Sequence, residues 1–308
     1  MKNRLIFLVA AAATTLALGG CTADPDSSSS APSTATGSPA VEAQELDSTL
    51  QSELPESIRT AGTLASVNTG AFPPYQIIAS DGSVTGASAD FQTAIGQLLG
   101  LKITDETVNS TAAVLTGMQG GRYELAFGPF GDLPARQEQA TFVDWVQEHV
   151  VFAVPKGNPA DIGDLSTTCG KDIGVQAATS AETVITAQSD TCVSEGKPAV
   201  NILAFQDGPA AILAVQAGRA SAFFSSQAPL TYYVQQSNDE LELAGVGSDN
   251  GFGDLLQGAI VPKDSELAPV LLKAIQKLQE NGTYGAIMEK WGLDQNELET
   301  PGINLAKS

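Results

Sequence analysis

The sequence predicts an α/β fold arranged as two lobes. Strand-like and helix-like segments alternate along the chain, which implies helices packed on mostly parallel sheets. The alternation runs as two successive sets, with a break at Pro155. A chain of 308 residues also has the length for one large domain or two small ones.

The elements follow in order. Leu64–Val67 reads as a short strand, and Phe91, Ala94, Ile95, Leu98 and Leu99 fall on one helical stripe that Gly100 stops. Val114, Leu115 and Met118 mark a second helix, ended by Gly120 and Gly121. Tyr123, Leu125 and Phe127 alternate as a strand, and His149–Val154 is an apolar strand, in which His149 is expected to be structural. In the second set, Ile173–Val175, Ile202–Phe205 and Ala222–Phe224 read as strands. Helices are expected at Ser180–Gln188, around Ile212, Leu213 and Val215, and near Pro229–Gln236. Glu266–Gln279 and Thr283–Trp291 are the last two helices, each followed by glycine.

The N-terminus reads differently. Lys2 and Arg4 precede an uncharged stretch, Leu5–Leu18, and Gly19 and Gly20 lead into Cys21. This order is that of a secretion signal, and its end resembles the lipobox of bacterial lipoproteins. That resemblance implies a signal peptide over 1–20 and a lipid on Cys21. A plain signal peptide and a short anchor with an incidental cysteine are the alternatives. The stretch is shorter than the ~20 residues a membrane-spanning helix needs. Residues 21–45 are rich in Ser, Thr, Ala and Pro, too poor in apolar surface to offset ordering entropy, and read as a disordered tether.

Without its first 20 residues the chain keeps 13 basic and 35 acidic residues, a net charge of −22. Nucleic acid, which needs a basic face, is excluded as a partner. His149 is the only histidine, so no zinc spacing exists and no metal or cofactor is expected. With Cys21 lipidated, Cys169 and Cys192 remain. Export permits a disulfide between them, closing a loop of ~20 residues worth roughly 3 kcal/mol; two buried free thiols are the alternative.

Several short segments, in order, resemble the solute-binding proteins of ABC importers, in the group that binds polar amino acids. They are Phe72-Pro73-Pro74-Tyr75 with Asp81–Gly86, Met118–Glu124, Pro134-Ala135-Arg136 with Phe142, Val154–Asn158, Ile260–Lys263, Asn281–Tyr284 and Lys290-Trp291-Gly292. The resemblance implies a periplasmic-binding-protein-like (type II) fold with a two-stranded hinge. Lobe one would comprise 46–153 plus 250–308, and lobe two 154–249.

It also implies a site. Arg136 would hold a ligand carboxylate, since a guanidinium presents paired N–H donors; a surface arginine at a helix start is the plain alternative. Phe72 would pack over the ligand, unless it is a core residue beside the Pro-Pro turn, and Tyr75 reads as structural. Gly128 would let the backbone approach, and Phe130 is a candidate with it. Thr179 and Ser180 would offer hydroxyls at a helix start, although Thr179-Ser180-Ala181-Glu182 also fits a capping box. Ser226 stands where the family often has an aspartate for the ligand's ammonium, Thr69 where it has another acid, and Thr111 where it has a second aromatic. Leu133 and Pro129 also depart from the pattern. Glu148, Asp132 and Asp254 are the acids available as replacements. Trp145 either replaces the missing aromatic wall or packs near the hinge.

The expected function is capture of a small carboxylate-bearing solute for an ABC permease, by a monomer held to the outer face of the membrane through its lipid. A dehydratase-like enzyme on the same fold is the alternative, opposed by the lack of an acid–base or nucleophile pair. A ligand-sensing lipoprotein is the other.

Overall fold

A computed structural model describes residues 41–108, 110–252 and 255–307. Residues 1–40, hence Cys21 and the expected signal peptide, and Asp254 lie outside the described residues. No helix among the described residues is long and apolar enough to cross a membrane.

After α1 (Ser48–Glu53) and α2 (Glu56–Ala61) the chain runs β1 (Thr63–Asn68), β2 (Ile77–Ile78), β3 (Val84–Thr85), α3 (Ala87–Leu99), β4 (Lys102–Thr107), α4 (Thr111–Gln119), β5 (Ala126–Gly131) and α5 (Pro134–Gln137). Two strands follow without a helix between them, β6 (Ala140–Glu148) and β7 (Val150–Pro155). Next come β8 (Asp172–Gln176), α6 (Ser180–Ser194), β9 (Asn201–Phe205), α7 (Gly208–Gln216), β10 (Ala222–Ser226), α8 (Gln227–Gln236) and β11 (Leu241–Ala244). β12 (Leu255–Pro262), α9 (Leu267–Glu280), α10 (Thr283–Lys290) and β13 (Glu297–Ile303) complete the chain.

Two main sheets organise the described strands, apart from β2 and β3, which form a small antiparallel ribbon of their own. In the first lobe β1 pairs parallel with β4 and meets the start of β5 through a Ser66–Leu125 bridge. Beyond that, the order β5-β12-β6-β13 is antiparallel. In the second lobe the order is β11-β7-β10-β8-β9, with β10, β8 and β9 parallel and β7 and β11 antiparallel to their neighbours. The expectation of mostly parallel sheets is therefore corrected. The chain passes from one sheet to the other and back without a helical crossover, and strands that meet on such a return run in opposite directions. The alternating stretch from Tyr123 is likewise corrected, because the strand begins only at Ala126.

The crossings are short. β6 ends at Glu148 in the first sheet and β7 begins at Val150 in the second, so the expected boundary between Ala153 and Val154 falls inside a strand. His149 is the crossing residue and is exposed rather than part of an apolar strand. The return runs from Ala244 to Leu255. Asn250 braces both crossings, donating from Nδ2 to the carbonyls of Val150 (2.8 Å) and Gly245 (2.9 Å).

The core of the first lobe is an aromatic cluster. Phe91, on the buried stripe of α3, lies 4.6 Å from Trp145 and 5.4 Å from Tyr284 between ring centroids. Phe127 stacks on Trp145 at 5.4 Å, and Tyr75 meets Trp145 edge-on at 6.0 Å. Trp145 is fully buried there. The second sheet is covered on both faces. Phe152 and Phe224 pack at 4.6 Å toward Ile185 and Val175, while Val151 and Phe223 face Ala211 and Val215. Cys169 and Cys192 are joined by a disulfide that ties the segment before β8 to α6. Residues 41–45 belong to the packed body rather than to a free tether: Val41 packs on the first core, and Gln44 exchanges hydrogen bonds with Gln97, Thr283 and Asn281.

Three carboxyls are buried among the described residues of this lobe. Glu148 accepts from the Tyr75 hydroxyl at 2.5 Å and from Ala228 N at 3.5 Å, and burial lifts it to about 7. Asp144 accepts from Leu305 N, and Asp132 from Ala306 N, each at 3.0 Å, so the C-terminal segment is clipped to the β5–β6 region. Burial first, and the neighbouring Asp132 charge second, push Asp144 up to about 8.

Both Asp144 and Glu148 sit above their ordinary values, so the native state holds more protons than the unfolded state between about pH 4 and pH 8. Stability contributed by these groups is present at mildly acidic pH and is lost as pH rises through their folded values. Asp144→Asn should flatten the fall in unfolding free energy between pH 5 and pH 8.5 by about 1.4 kcal/mol or more, the worth of one pKa unit. Denaturant unfolding at a series of pH values measures this, and parallel profiles for the two proteins would contradict it.

Candidate functional site

A cleft opens between the lobes, with an empty volume of about 730 Å³ counting its mouth. That is the size of a small-molecule site. Its first-lobe wall is built by a tight turn and two strands. Phe72 and Gln76 exchange backbone hydrogen bonds of 2.9 Å in both directions, which turns both side chains to the cleft. The turn is docked on α3, whose first amides, Ala87 N and Ser88 N, donate to the carbonyls of Pro74 (3.1 Å) and Tyr75 (3.0 Å). Gly86 permits this approach: its φ is +119°, and a Cβ there would lie 2.3 Å from Tyr75 O.

Phe72 lies over Tyr75 with ring centroids 6.0 Å apart and planes at 19°, and is partly buried. It packs on the core and also lines the cleft. Gly128 and Phe130 also line it. A Cβ on Gly128 would lie 2.9 Å from the Phe130 ring and 3.5 Å from Gln76 Nε2, so glycine there makes room for side chains that form the wall.

Arg136 sits on the one-turn helix α5, which Pro134 starts. Nη1 donates to Gly131 O at 3.0 Å within the first lobe, and Nη2 donates across the cleft to Ala178 O at 3.3 Å in the second. Two of its five N–H donors are thereby engaged in protein contacts. Burial lowers the guanidinium from its ordinary value, and the Asp132 charge offsets part of that. Arg136 is the only charged residue among the described residues of the lining.

The second lobe contributes the start of α6 and the end of β10. Thr179 lines the cleft, but its hydroxyl donates to Gln176 O (2.7 Å) and accepts from Glu182 N (3.4 Å), while Glu182 accepts from Ala178 N (2.6 Å). Thr179 thus caps α6, but the capping box is not closed, because Glu182 reaches back to Ala178 N rather than to Thr179 N. Ser180 is buried, and its hydroxyl has no hydrogen-bond partner among the described residues. Ser226 is buried at the end of β10 and accepts from Gln257 Nε2 at 3.5 Å.

Thr69, Thr111 and Pro129 all line the cleft. Of the acids considered as replacements, the two that are described, Asp132 and Glu148, do not. Asp132 accepts from Gln137 and Ala306, Glu148 from Tyr75 and Ala228, and Asp254 is outside the described residues. Trp145 is core and forms no part of the lining. Sequence reasoning missed Gln76, Gln176 and Gln257. Gln76 had a signal, four residues after Phe72 in the same turn; Gln257 had none, because its strand was not recognised.

Comparison with known proteins agrees with this architecture. The family of bacterial extracellular solute-binding proteins, family 3, matches residues 64–294. The arginine-binding protein ArgT of Corynebacterium glutamicum is 27% identical over 259 residues, covering 83% of this chain and 82% of ArgT. The L-cystine-binding protein TcyJ of Escherichia coli K12 is 22% identical, covering 76% and 84%. Among solved structures, an ancestral arginine-binding protein bound to arginine superposes with a TM-score of 0.64 at 25% identity, covering 75% of this chain and 98% of that one. The chain belongs to the bacterial extracellular solute-binding proteins of family 3, and is a solute binder rather than an enzyme.

Proposed function

We propose that the protein captures a small carboxylate-bearing solute, an amino acid or a derivative of one, between its two lobes and delivers it to an ABC permease. The observation that carries this reading is Arg136, alone in charge among the described lining residues and engaged by only two carbonyls. Its remaining donors match a carboxylate, and the burial of the guanidinium strengthens that pairing. Phe72 and Phe130 supply apolar walls, Gly128 keeps the floor open, and Ser180 and Ser226 offer hydroxyls from the opposite lobe.

Closure follows from the same geometry. A ligand touching Arg136 on one side and the start of α6 on the other makes its full set of contacts only when the lobes are together, and so favours the closed state. Arginine and cystine, the ligands in the relatives' names, both carry the carboxylate this clamp would hold. The N-terminal pattern supports export, with lipidation of Cys21 holding a monomer beside its membrane partner and raising its effective concentration there.

Arg136→Ala should lower the affinity for a carboxylate ligand by about 100-fold or more and leave the fold intact. Thermal-shift screening of amino acids, derivatives and organic acids identifies the ligand, and calorimetry on the variant gives the loss; unchanged affinity would overturn the clamp. Cys21→Ser should move the protein from the membrane fraction to the soluble fraction of the producing cell, and retention in the membrane would overturn the anchor.

A further inference from the structure

The cleft holds two buried polar atoms that nothing among the described residues satisfies. Gln76 Nε2 is a donor without an acceptor, and Gln257 Oε1 is an acceptor without a donor, among the described residues. The two residues are only 2% and 4% exposed, and both line the cleft. Gln76 is fixed by the Phe72–Gln76 turn. Gln257 is fixed on β12 between β5 and β6, with its own Nε2 directed to Ser226. A buried donor or acceptor left unpaired costs about 1–3 kcal/mol, so these atoms define what a ligand must bring: one acceptor and one donor, beyond its carboxylate.

Charge narrows the choice. No carboxylate lines the cleft among the described residues, and Asp132 and Glu148 are engaged elsewhere. An ammonium enclosed here would lose its hydration against hydroxyls and amides only, beside the positive Arg136. Both effects oppose a buried cation. An amide N–H brings the donor that Gln257 lacks without that cost, and an amide carbonyl brings the acceptor that Gln76 lacks.

We infer that the cleft selects a carboxylate whose nitrogen is acylated, with no free cationic group. Arg136 holds the carboxylate, Gln76 donates to the amide carbonyl and Gln257 accepts from the amide N–H. This rests on the capture reading above and names the ligand class for it.

The test is calorimetry on the full chain with N-acetyl-L-glutamine, L-glutamine and L-arginine. N-acetyl-L-glutamine is expected to bind at least about 100-fold more tightly than either free amino acid, since a site built to hydrogen-bond one group rejects analogues that leave its polar atoms unpaired. Gln257→Glu places a carboxylate where the acceptor stands and should narrow that ratio by about 10-fold or more, an opposite-charge effect. Gln76→Glu, read alongside, replaces the donor and should also weaken the acylated ligand. Equal or tighter binding of L-glutamine or L-arginine by the unsubstituted protein overturns the inference while leaving carboxylate capture standing. Failure of all three ligands to bind overturns both.

Discussion

The guanidinium of Arg136 reaches from one lobe to the other. One nitrogen holds Gly131 O beside its own helix, and the other reaches Ala178 O, immediately before α6. Everything that shapes the cleft bears on this contact. Pro134 starts the short helix that carries the arginine, and Asp132, just before it, supplies the nearest opposing charge. The left-handed backbone of Ala178, at φ 59°, presents its carbonyl next to the helix cap. A bound carboxylate would complete the same bridge with hydrogen bonds in which both partners are charged, in place of bonds from the guanidinium to neutral carbonyls.

The hinge imposes the complementary constraint. The chain crosses between sheets at His149 and again between Ala244 and Leu255. Buried polar contacts sit at both places. Glu148 receives Tyr75 from the first lobe and the start of α8 from the second, and Asn250 holds Val150 and Gly245. Such contacts are directional and costly to leave unmade, so they favour rotation about the crossing segments over sliding of one lobe on the other. Tyr75 lies within the Phe72–Gln76 turn, so the residue that anchors the hinge also supports one wall of the cleft.

Much of this was legible in the sequence. The α3 stripe, the strands β8, β9 and β10 and the pairing of Cys169 with Cys192 follow from periodicity and residue count, which report on local structure and compartment; β11 was not read from the sequence. The family resemblance placed Phe72, Gly128, Arg136, Ser180 and Ser226 in one cleft, and the departures at Thr69 and Thr111 in the same lining. Other features were hidden for physical reasons. β6 is buried almost throughout and carries Asp144 and Glu148, so it shows neither alternation nor an unbroken apolar run. Its neighbour β12 is interrupted by Gln257 and Gly258. His149 sits beside an apolar run yet falls on a crossing, a position only tertiary pairing defines. Gln76 and Gln257 are uncharged and far apart in sequence, and only the fold shows that they share a cleft and lack partners. For the same reason the missing acid could be noticed from the sequence, whereas the amides that stand in its surroundings could not.

The central claim is that Arg136 is the ligand's carboxylate clamp. A crystal structure of the protein with its tightest-binding carboxylate solute tests it most directly. The account predicts both carboxylate oxygens about 2.7–2.9 Å from the guanidinium nitrogens, the range of charge-assisted pairs, with the ligand between Phe72 and the start of α6. A ligand whose carboxylate is held elsewhere, with Arg136 still on the carbonyls of Gly131 and Ala178 alone, would contradict it.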